Sequence, residues 1–179
     1  TKIMNSGEGG GIFTNLPDKI PKLKRLRFFG HDDEKNLIDE GTNAKMTEIH
    51  AALGLGNLTN FENVLQSRKL INDRYRDLMS GFKDIRFQTV CDKETNYSYF
   101  PVVFANEKKM LLALAALEQA KIMSRRYFYP SISTLPRFKF KKEITPVSDD
   151  LSKRILCLPS FLGLTDHDQQ TIIQILRSS

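Results

Sequence analysis

Apolar and small side chains recur at helical spacing through much of the first half of the chain. In residues 45–58 they stand three and four positions apart, which predicts a helix. Several of these side chains are alanine or glycine, so we expect another helix or a neighbouring backbone to approach closely. A second helix is predicted from an N-cap at Thr59 to a stop at Gly81. Ahead of both helices, the glycines of 9–11 predict a turn that enters a short strand.

The pattern changes after the second helix to aromatic and β-branched runs. Residues 85–87 and 97–105 have this composition and are predicted strands. Asn106 is the predicted N-cap of a helix over 107–120. The apolar side chains of that helix occur nearly all round it, which predicts that it is buried. One more strand is predicted over 123–129.

Two further helices are predicted near the C-terminus. A short helix covers 149–155, and the last helix begins at a capping box whose N-cap is Thr165. Strands and helices together make 81–179 a compact α+β domain. Residues 1–58 are predicted to be a piece of a larger domain, and the helix of 59–80 joins the two parts.

The charge balance raises the question of a polyanionic partner. Lys and Arg number 27 and Asp and Glu number 21, so the net charge is +6. The basic run of 19–27 is followed by acidic residues at 32–34, and that of 137–142 by Glu143 and Asp149. This distribution is typical of a solvated surface, and we expect no nucleic-acid partner. A modest basic excess also suits an enzyme whose ligands carry phosphate.

Two other classes of protein and site are disfavoured by composition. The longest apolar run, 110–117, is far shorter than a membrane-spanning helix needs, so no membrane partner is expected. Cys91 and Cys157 are too few and too far apart for a metal cluster or a disulfide framework. We therefore expect no metal site, and a reducing cytoplasmic location.

The first candidate catalytic residue is Lys2, which precedes a glycine-rich segment. A lysine amine forms a Schiff base with a carbonyl cofactor when its pKa is low enough to leave the amine free. Glycines lack a Cβ and let the chain fold tightly around such a cofactor. The same pattern is also typical of a solvated terminal lysine, so the residues by themselves leave both interpretations open.

Four segments, in order along the chain, carry a resemblance to a known family. Residues 1–15, a Thr-Lys pair with a short spacer before GEGGGIFTN, resemble the Schiff-base loop of the DegT/DnrJ/EryC1/StrS sugar aminotransferases. Residues 41–55 (GTNAKMTEIHAALGL) resemble the family's Asn-x-basic-Met-Ser/Thr-Glu segment and its small-residue helix. Residues 126–130 (RYFYP) are similar to the aromatic-proline stretch before the substrate loop. Residues 156–165 are similar to the closing Leu-Pro and Gly-Leu-Thr segment.

The resemblance implies a fold-type-I enzyme that depends on pyridoxal 5′-phosphate. Its fold class is α/β, with a small α+β domain in the C-terminal part. Family members carry a whole half-domain ahead of the Schiff-base lysine, whereas only Thr1 precedes Lys2 here. We therefore expect the chain to be the C-terminal half of such an enzyme and to be inactive alone. Residues 1–58 would then be a remnant of the large cofactor-binding domain, which carries the Schiff-base loop.

The family motifs assign roles to five residues. Lys2 matches the catalytic lysine that binds the cofactor. Asn43 matches an asparagine that reaches the cofactor phosphate of the neighbouring subunit, which implies a homodimer with shared active sites. Lys45 and Tyr129 are candidate substrate-binding residues, Lys45 replacing a common arginine without its bidentate fork. Ser133 is a third candidate and stands where many members have histidine.

The implied reaction is amino transfer, usually from L-glutamate, to the keto carbon of a nucleotide-linked deoxysugar. Within the family, the segments around Asn43 and Tyr129 most resemble enzymes that make dTDP-4-amino-4,6-dideoxyhexoses for polysaccharide or amino-sugar biosynthesis. The alternative is a non-catalytic α+β interaction module with a basic surface, which leaves Lys2, Asn43 and the glycines unexplained. The coding sequence upstream of Thr1 separates the two hypotheses.

Overall fold

The computed structural model describes residues 2–89, 95–138 and 145–179. The backbone divides into two compact units, Thr1–Glu62 and Asn63–Ser179. Short 3-10 helices lie at Pro17–Lys19, Ile132–Thr134 and Pro136–Phe138. The longer elements are α1 (Ile20–Arg27), α2 (Glu48–Thr59), α3 (Phe61–Leu78), β1 (Ile85–Phe87), β2 (Phe100–Phe104), α4 (Glu107–Gln119), α5 (Pro146–Arg154), β3 (Ile155–Leu158) and α6 (Asp166–Ser178).

In the first unit, a tight turn follows α1 and fixes the course of residues 28–44. Gly30 has a positive φ of 84°, a conformation that favours glycine. A Cβ on Gly30 would lie 1.7 Å from the Asp39 carbonyl oxygen, and one on Gly41 would lie 2.1 Å from the Gly30 nitrogen. The Arg25 Nε donates to the Asp39 carboxylate at 2.6 Å and ties the turn to α1. Both glycines are therefore required by the close contact of two backbone segments.

Two predictions for this unit are wrong. Thr59 is the last residue of α2 and not an N-cap, because its hydroxyl donates to the Leu55 carbonyl inside that helix at 3.0 Å. Residues 12–14 do not form a strand. The Thr14 hydroxyl instead accepts from the Leu16 N–H at 3.0 Å, and this local bond leads the chain into a 3-10 helix.

The second unit is built on a three-stranded antiparallel sheet in the order β1-β2-β3. Ile85 pairs with Phe104, and Phe100 pairs with Leu158. In the central strand β2, alternate residues point into the core, and Phe100 and Val102 are both fully or almost fully buried. The strand predicted over 97–105 is therefore real but shorter than predicted.

The core of the second unit lies between this sheet and the helices α3, α4 and α6. The Tyr75 ring of α3 stacks on Phe100 with 4.8 Å between ring centroids, and its hydroxyl donates to the Pro159 carbonyl at 3.0 Å. The most deeply buried large side chains come from β2, β3, the three helices and the residue that follows α3, and they are Tyr75, Met79, Phe100, Val102, Met110, Leu117, Leu156 and Gln169.

Helix α4 begins where predicted, since the Asn106 side chain accepts from the Lys109 N–H at 3.0 Å. The prediction that α4 is buried all round is wrong. Met110 and Leu117 face the core, but Leu111 and Leu112 are nearly half exposed, at 44 % and 49 %. A helix lying on one face of a three-stranded sheet buries one side only.

The strand predicted over 123–129 is also wrong. This segment makes a single bridge to β3, in which Arg125 and Cys157 exchange backbone hydrogen bonds of 3.1 and 2.8 Å. Cys157 already pairs with Pro101 of β2 on its other edge. The sheet is therefore extended by one residue pair before the chain turns away.

The two C-terminal helices follow their predicted signals closely. Helix α5 begins with Pro146 at its first position, three residues earlier than predicted. The capping box of α6 is confirmed, because the Thr165 hydroxyl accepts from the Asp168 N–H at 3.1 Å while the Asp168 carboxylate accepts from the Thr165 N–H at 3.0 Å. The Thr165 hydroxyl also donates to the Asp168 carboxylate at 2.6 Å, and this bond, followed by that from the Thr165 N–H, lowers the pKa of Asp168.

The apolar side chains described before Phe61 are exposed or half-buried, and the core cluster begins only at Ile71. Phe13 is 91 % exposed and Ile49 is 80 % exposed. Such an apolar surface is expected of a piece of a larger domain. The division into 1–58, 59–80 and 81–179 stays a prediction.

Cys157 is buried and free, while Cys91 lies outside the described residues. Within 2–89, 95–138 and 145–179, we find no cluster of side chains that could hold a metal ion. No helix among those residues has the length and apolar character needed to cross a membrane.

Candidate active site

The loop that carries Lys2 lies along helix α2. The Asn57 amide of α2 donates to the Asn5 carbonyl at 2.8 Å, and Ser6 is 7 % exposed against the helix. A Cβ on Gly54 would lie 3.0 Å from the Ser6 Cβ, tighter than most real contacts. Gly54 is therefore needed for the close approach of this loop. Of the two neighbours predicted for the small residues of α2, another helix or a backbone segment, the Lys2 loop is the second.

The same loop continues toward the N-terminal end of α2. Gly7 has a positive φ of 68°, and a Cβ there would lie 2.9 Å from the His50 ring. His50 in turn sits 2.7 Å from the Thr47 hydroxyl, the N-cap of α2. A Cβ on Gly9 would lie 2.9 Å from the Met46 sulfur. The loop and α2 therefore run antiparallel, and Gly7 and Gly9 allow their close contact.

Lys2 precedes the packed part of the loop and is exposed. Its carbonyl accepts from the Asn5 amide at 3.4 Å, and this bond closes a short turn. The amine is therefore open to a ligand, while the backbone behind it is anchored on α2. A primary amine in this arrangement fits an aldehyde cofactor, which requires a reachable lysine on a fixed backbone.

Asn43 lies beside the C-terminal end of α1, before α2 begins. It forms an isolated antiparallel bridge with Phe28, and its neighbours Thr42 and Ala44 donate to the Leu26 and Arg27 carbonyls at 2.9 and 3.0 Å. The backbone of Asn43 is thus fixed and its side chain is exposed. An exposed amide on a rigid segment can donate to a phosphate without adding charge.

Lys45 stands two residues later, with its Nζ 5.7 Å from the Phe28 ring centroid and 5.3 Å from that of Phe29. Both rings stabilise the ammonium group by a cation–π contact. Lys45 is exposed, so this position can present a positive charge to an anionic ligand.

Within one chain, the start of the Lys2 loop and the segment that carries Asn43 adjoin opposite ends of α2. Asn5, three residues after Lys2, is bound at Asn57 near the C-terminal end of α2, whereas Asn43 precedes its N-terminal end. The ten residues from Glu48 to Asn57 span roughly 14 Å along the helix axis. No hydrogen bond joins Lys2 to Asn43 in the part of the chain that the structure describes.

The second unit carries the other two candidate residues on one loop. The Tyr129 ring is half exposed, and the Arg126 guanidinium lies over its face at 3.5 Å from the centroid. Arg126 also donates to the Lys153 carbonyl at 3.1 Å and to the Glu107 carboxylate at 3.4 Å. Arg126 thus connects the tyrosine to α4 and α5. These contacts of Arg126 were not predicted from the sequence, although Arg126 stands in the quoted RYFYP segment.

Ser133 takes part in a hydrogen-bonded cluster, which we call the hydroxyl cluster: Ser131, Ser133, Thr145, Ser148 and Asp149. The Ser133 hydroxyl donates to the Asp149 carboxylate at 2.6 Å and accepts from the Thr145 hydroxyl at 2.7 Å. Ser131 lies 3.0 Å from Ser133 and 3.3 Å from Ser148, oxygen to oxygen. Hydrogen bonding from Ser133 first, and then from Ser131 and Thr145, lowers the pKa of Asp149, which favours its charged form.

Comparison with known proteins places the chain in a family. The model of the DegT/DnrJ/EryC1/StrS aminotransferase family matches residues 1–177. The dTDP-4-amino-4,6-dideoxy-D-glucose transaminase of Escherichia coli is 35% identical over 179 residues, which cover 95% of this chain and 47% of that protein. The enzyme of the same name from Shigella dysenteriae is 30% identical over 182 residues, covering 99% of this chain and 50% of that protein.

The fold agrees with these matches. The crystal structure of DesI in the presence of its TDP-sugar product has a TM-score of 0.84 and 27% identity, covering 99% of this chain and 47% of that one. The chain spans about half the length of the curated relatives it matches. The predicted fold class is confirmed, since the chain has the fold of sugar aminotransferases and combines helices with a small antiparallel sheet. The chain belongs to the DegT/DnrJ/EryC1/StrS aminotransferase family.

Proposed function

We propose that the complete protein is a pyridoxal-phosphate-dependent aminotransferase that acts on a nucleotide-linked ketosugar, such as a dTDP-4-keto-6-deoxyhexose. The observation that carries this proposal is the exposed Lys2 at the end of a loop packed on α2, in a chain matched by the family model from residue 1 to 177. The amino donor is L-glutamate. The names of the Escherichia coli and Shigella dysenteriae relatives support the choice of sugar.

Lys2 is the residue that holds the cofactor and moves a proton. Pyridoxal phosphate, when bound, supplies an aldehyde for attachment and an electron sink for the substrate's Cα. The Lys2 Nζ would hold the aldehyde and, once displaced by the amino donor, would carry the proton from the donor's Cα to the cofactor; in the second half-reaction it would carry a proton from the cofactor to the sugar carbon. The Asn43 amide donates to the phosphate, while Lys45 and Tyr129 bind the substrate.

We further propose that the active enzyme is a cytoplasmic homodimer in which Asn43 serves the site of the other subunit. The placement of Lys2 and Asn43 at opposite ends of α2 supports this arrangement. In the complete protein, residues 1–58 belong to the large cofactor-binding domain, 59–80 form the connecting helix and 81–179 form the small domain. The reaction places the enzyme in polysaccharide or amino-sugar biosynthesis.

The alternative of a non-catalytic interaction module is not favoured. It accounts for the basic surface, but it gives no reason for a family match that extends over residues 1–177. It also gives no role to the glycines that pack the Lys2 loop on α2.

The test is to reduce the full-length protein with borohydride in the presence of pyridoxal phosphate and to map the labelled peptide. We expect one pyridoxyl group on Lys2 and none in Lys2→Arg, since that side chain forms no stable adduct with the aldehyde. Wild-type protein should also convert L-glutamate and dTDP-4-keto-6-deoxyglucose to 2-oxoglutarate and the aminosugar. A label on another lysine, or turnover by Lys2→Arg at the wild-type rate, would overturn the proposal.

A further inference from the structure

We propose that Asp149 is a positioning residue for the Tyr129 loop, residues 129–134, and that Ser133 acts through Asp149 and does not bind the substrate directly. This inference rests on the proposed function. It concerns how the second unit presents Tyr129 to the nucleotide sugar, and it changes the role predicted for Ser133.

The hydrogen-bonding capacity of Ser133 is already used inside the protein. A serine hydroxyl has one proton to donate and two lone pairs that accept. Its proton goes to Asp149 at 2.6 Å, and its oxygen receives the Thr145 hydroxyl at 2.7 Å with Ser131 at 3.0 Å. A substrate group would have to break one of these bonds to reach the Ser133 oxygen.

The hydroxyl groups of the cluster can form a chain of hydrogen bonds that ends at the Asp149 carboxylate. Ser148 can donate to Ser131, Ser131 to Ser133, and Ser133 to Asp149, so each hydroxyl proton has a place. Thr145 has a single hydroxyl proton, which it shares between the Ser133 oxygen at 2.7 Å and the same carboxylate oxygen at 3.1 Å. The carboxylate ends the chain because it accepts without donating. Hydrogen bonds to a charged acceptor are about twice as strong as neutral ones.

The cluster and Arg126 hold the Tyr129 loop at both ends on the same helix. Arg126 is anchored at the Lys153 carbonyl, near the C-terminal end of α5, and stacks on Tyr129. On the other side of Tyr129, Ser131 is almost fully buried and joins the first turns of α5 through Ser148 and, by way of Ser133, through Asp149. The half-exposed tyrosine lies between these two anchors, so the loss of one anchor frees its position.

The experiment compares the two half-reactions of the full-length enzyme. Glutamate alone should release one equivalent of 2-oxoglutarate per site, and the nucleotide sugar is then needed for turnover. We expect Asp149→Ala and Ser133→Ala to release 2-oxoglutarate at rates within about twofold of wild type. We expect both to raise the KM for dTDP-4-keto-6-deoxyglucose and the Kd for dTDP, measured by calorimetry, by about tenfold, which corresponds to 1.4 kcal/mol.

Matched variants separate positioning from direct contact and from misfolding. Asp150→Asn is the control, because the neighbouring Asp150 is exposed and pairs with Arg154, outside the hydroxyl cluster. Ser133→Thr keeps the hydroxyl and should restore most of the affinity. The double variant Ser133→Ala with Asp149→Ala should bind no more weakly than either single variant, since both remove the same chain of bonds.

Several outcomes would overturn the inference. A Ser133→Ala effect that adds to that of Asp149→Ala would make Ser133 a direct substrate contact. An unchanged sugar KM in Asp149→Ala would remove the positioning role, and so would an equal loss in both half-reactions, which indicates general destabilisation. A wild-type enzyme that releases no 2-oxoglutarate from glutamate would instead refute the proposed function.

Discussion

The arrangement of Lys2 and Asn43 leads to a test in which two defective proteins restore each other. The Lys2 loop is bound to α2 at Asn57, and Asn43 precedes the other end of that helix. The helical segment between these points is roughly 14 Å long. We propose that, if the two residues serve one cofactor, they do so from different subunits. A dimer that combines one Lys2→Ala chain with one Asn43→Ala chain then has both lesions in one site and an intact second site.

The magnitudes follow from the chemistry of each side chain. Lys2→Ala removes the amine that we propose holds the cofactor, so turnover by its homodimer should fall to background. Asn43→Ala would remove the one or two hydrogen bonds that we propose this amide makes to a charged phosphate, each worth about 1.5–3 kcal/mol. Cofactor affinity should therefore fall by roughly tenfold or more. At subsaturating cofactor, the mixed dimer should have about half of the wild-type activity, because one of its two equivalent sites is intact.

The assay uses co-expressed full-length chains with two different affinity tags, so that mixed dimers are purified before activity is measured. The control dimer pairs a wild-type chain with a chain that carries both substitutions. In a shared site this control has one lesion in each site and should be less active than the first dimer. If each subunit builds its own site, the order reverses: the control keeps about half of the activity and the first dimer gains none. That reversal would refute the reasoning from α2.

Caps and turns could be read from the sequence because they depend on bonds between residues a few positions apart. Asn106 begins α4, and Thr165 with Asp168 begins α6, through hydrogen bonds across three residues. Thr59 is a residue for which prediction from the local sequence fails. A threonine hydroxyl can cap the next helix or donate back to the helix it ends, and only the fold decides that it bonds Leu55.

Burial and strand pairing could not be predicted in the same way, because they depend on which surfaces meet. Leu111 and Leu112 belong to a helix whose composition predicts burial. They are nearly half exposed because a small sheet covers only one side of α4. The segment 123–129 has the composition of a strand, yet β3 pairs with it at Arg125 alone among the described residues. Composition gives a preference for burial or extension, and the partner determines whether that preference is realised.

In the candidate site, the residues could be predicted from motifs, but their hydrogen-bond partners could not. Lys2 and Asn43 were predicted as site residues from motifs, since each stands in a segment similar to the family's. The hydrogen bond of Ser133 could not be predicted, because its partner Asp149 lies 16 residues away and the bond forms only when α5 packs beside the loop. A motif locates a residue, whereas its hydrogen-bond partners determine whether its hydroxyl is available to a ligand.

Two predictions concern stability, measured on the full-length protein. Tyr75→Phe removes the hydrogen bond to the Pro159 carbonyl, so the free energy of unfolding should fall by about 1–3 kcal/mol with an unchanged denaturant m-value. An unchanged free energy of unfolding would mean that water replaces the hydroxyl. The other compares two glycines of α2. Alanine favours an interior helical position over glycine by about 1 kcal/mol, and Gly56→Ala should gain this stability because nothing lies within 4 Å of the new Cβ. Gly54→Ala should gain little or lose stability, since its Cβ would lie 3.0 Å from that of Ser6. Equal gains in thermal unfolding would show that the Lys2 loop does not pack on α2, and the argument for a shared site would lose its geometric basis.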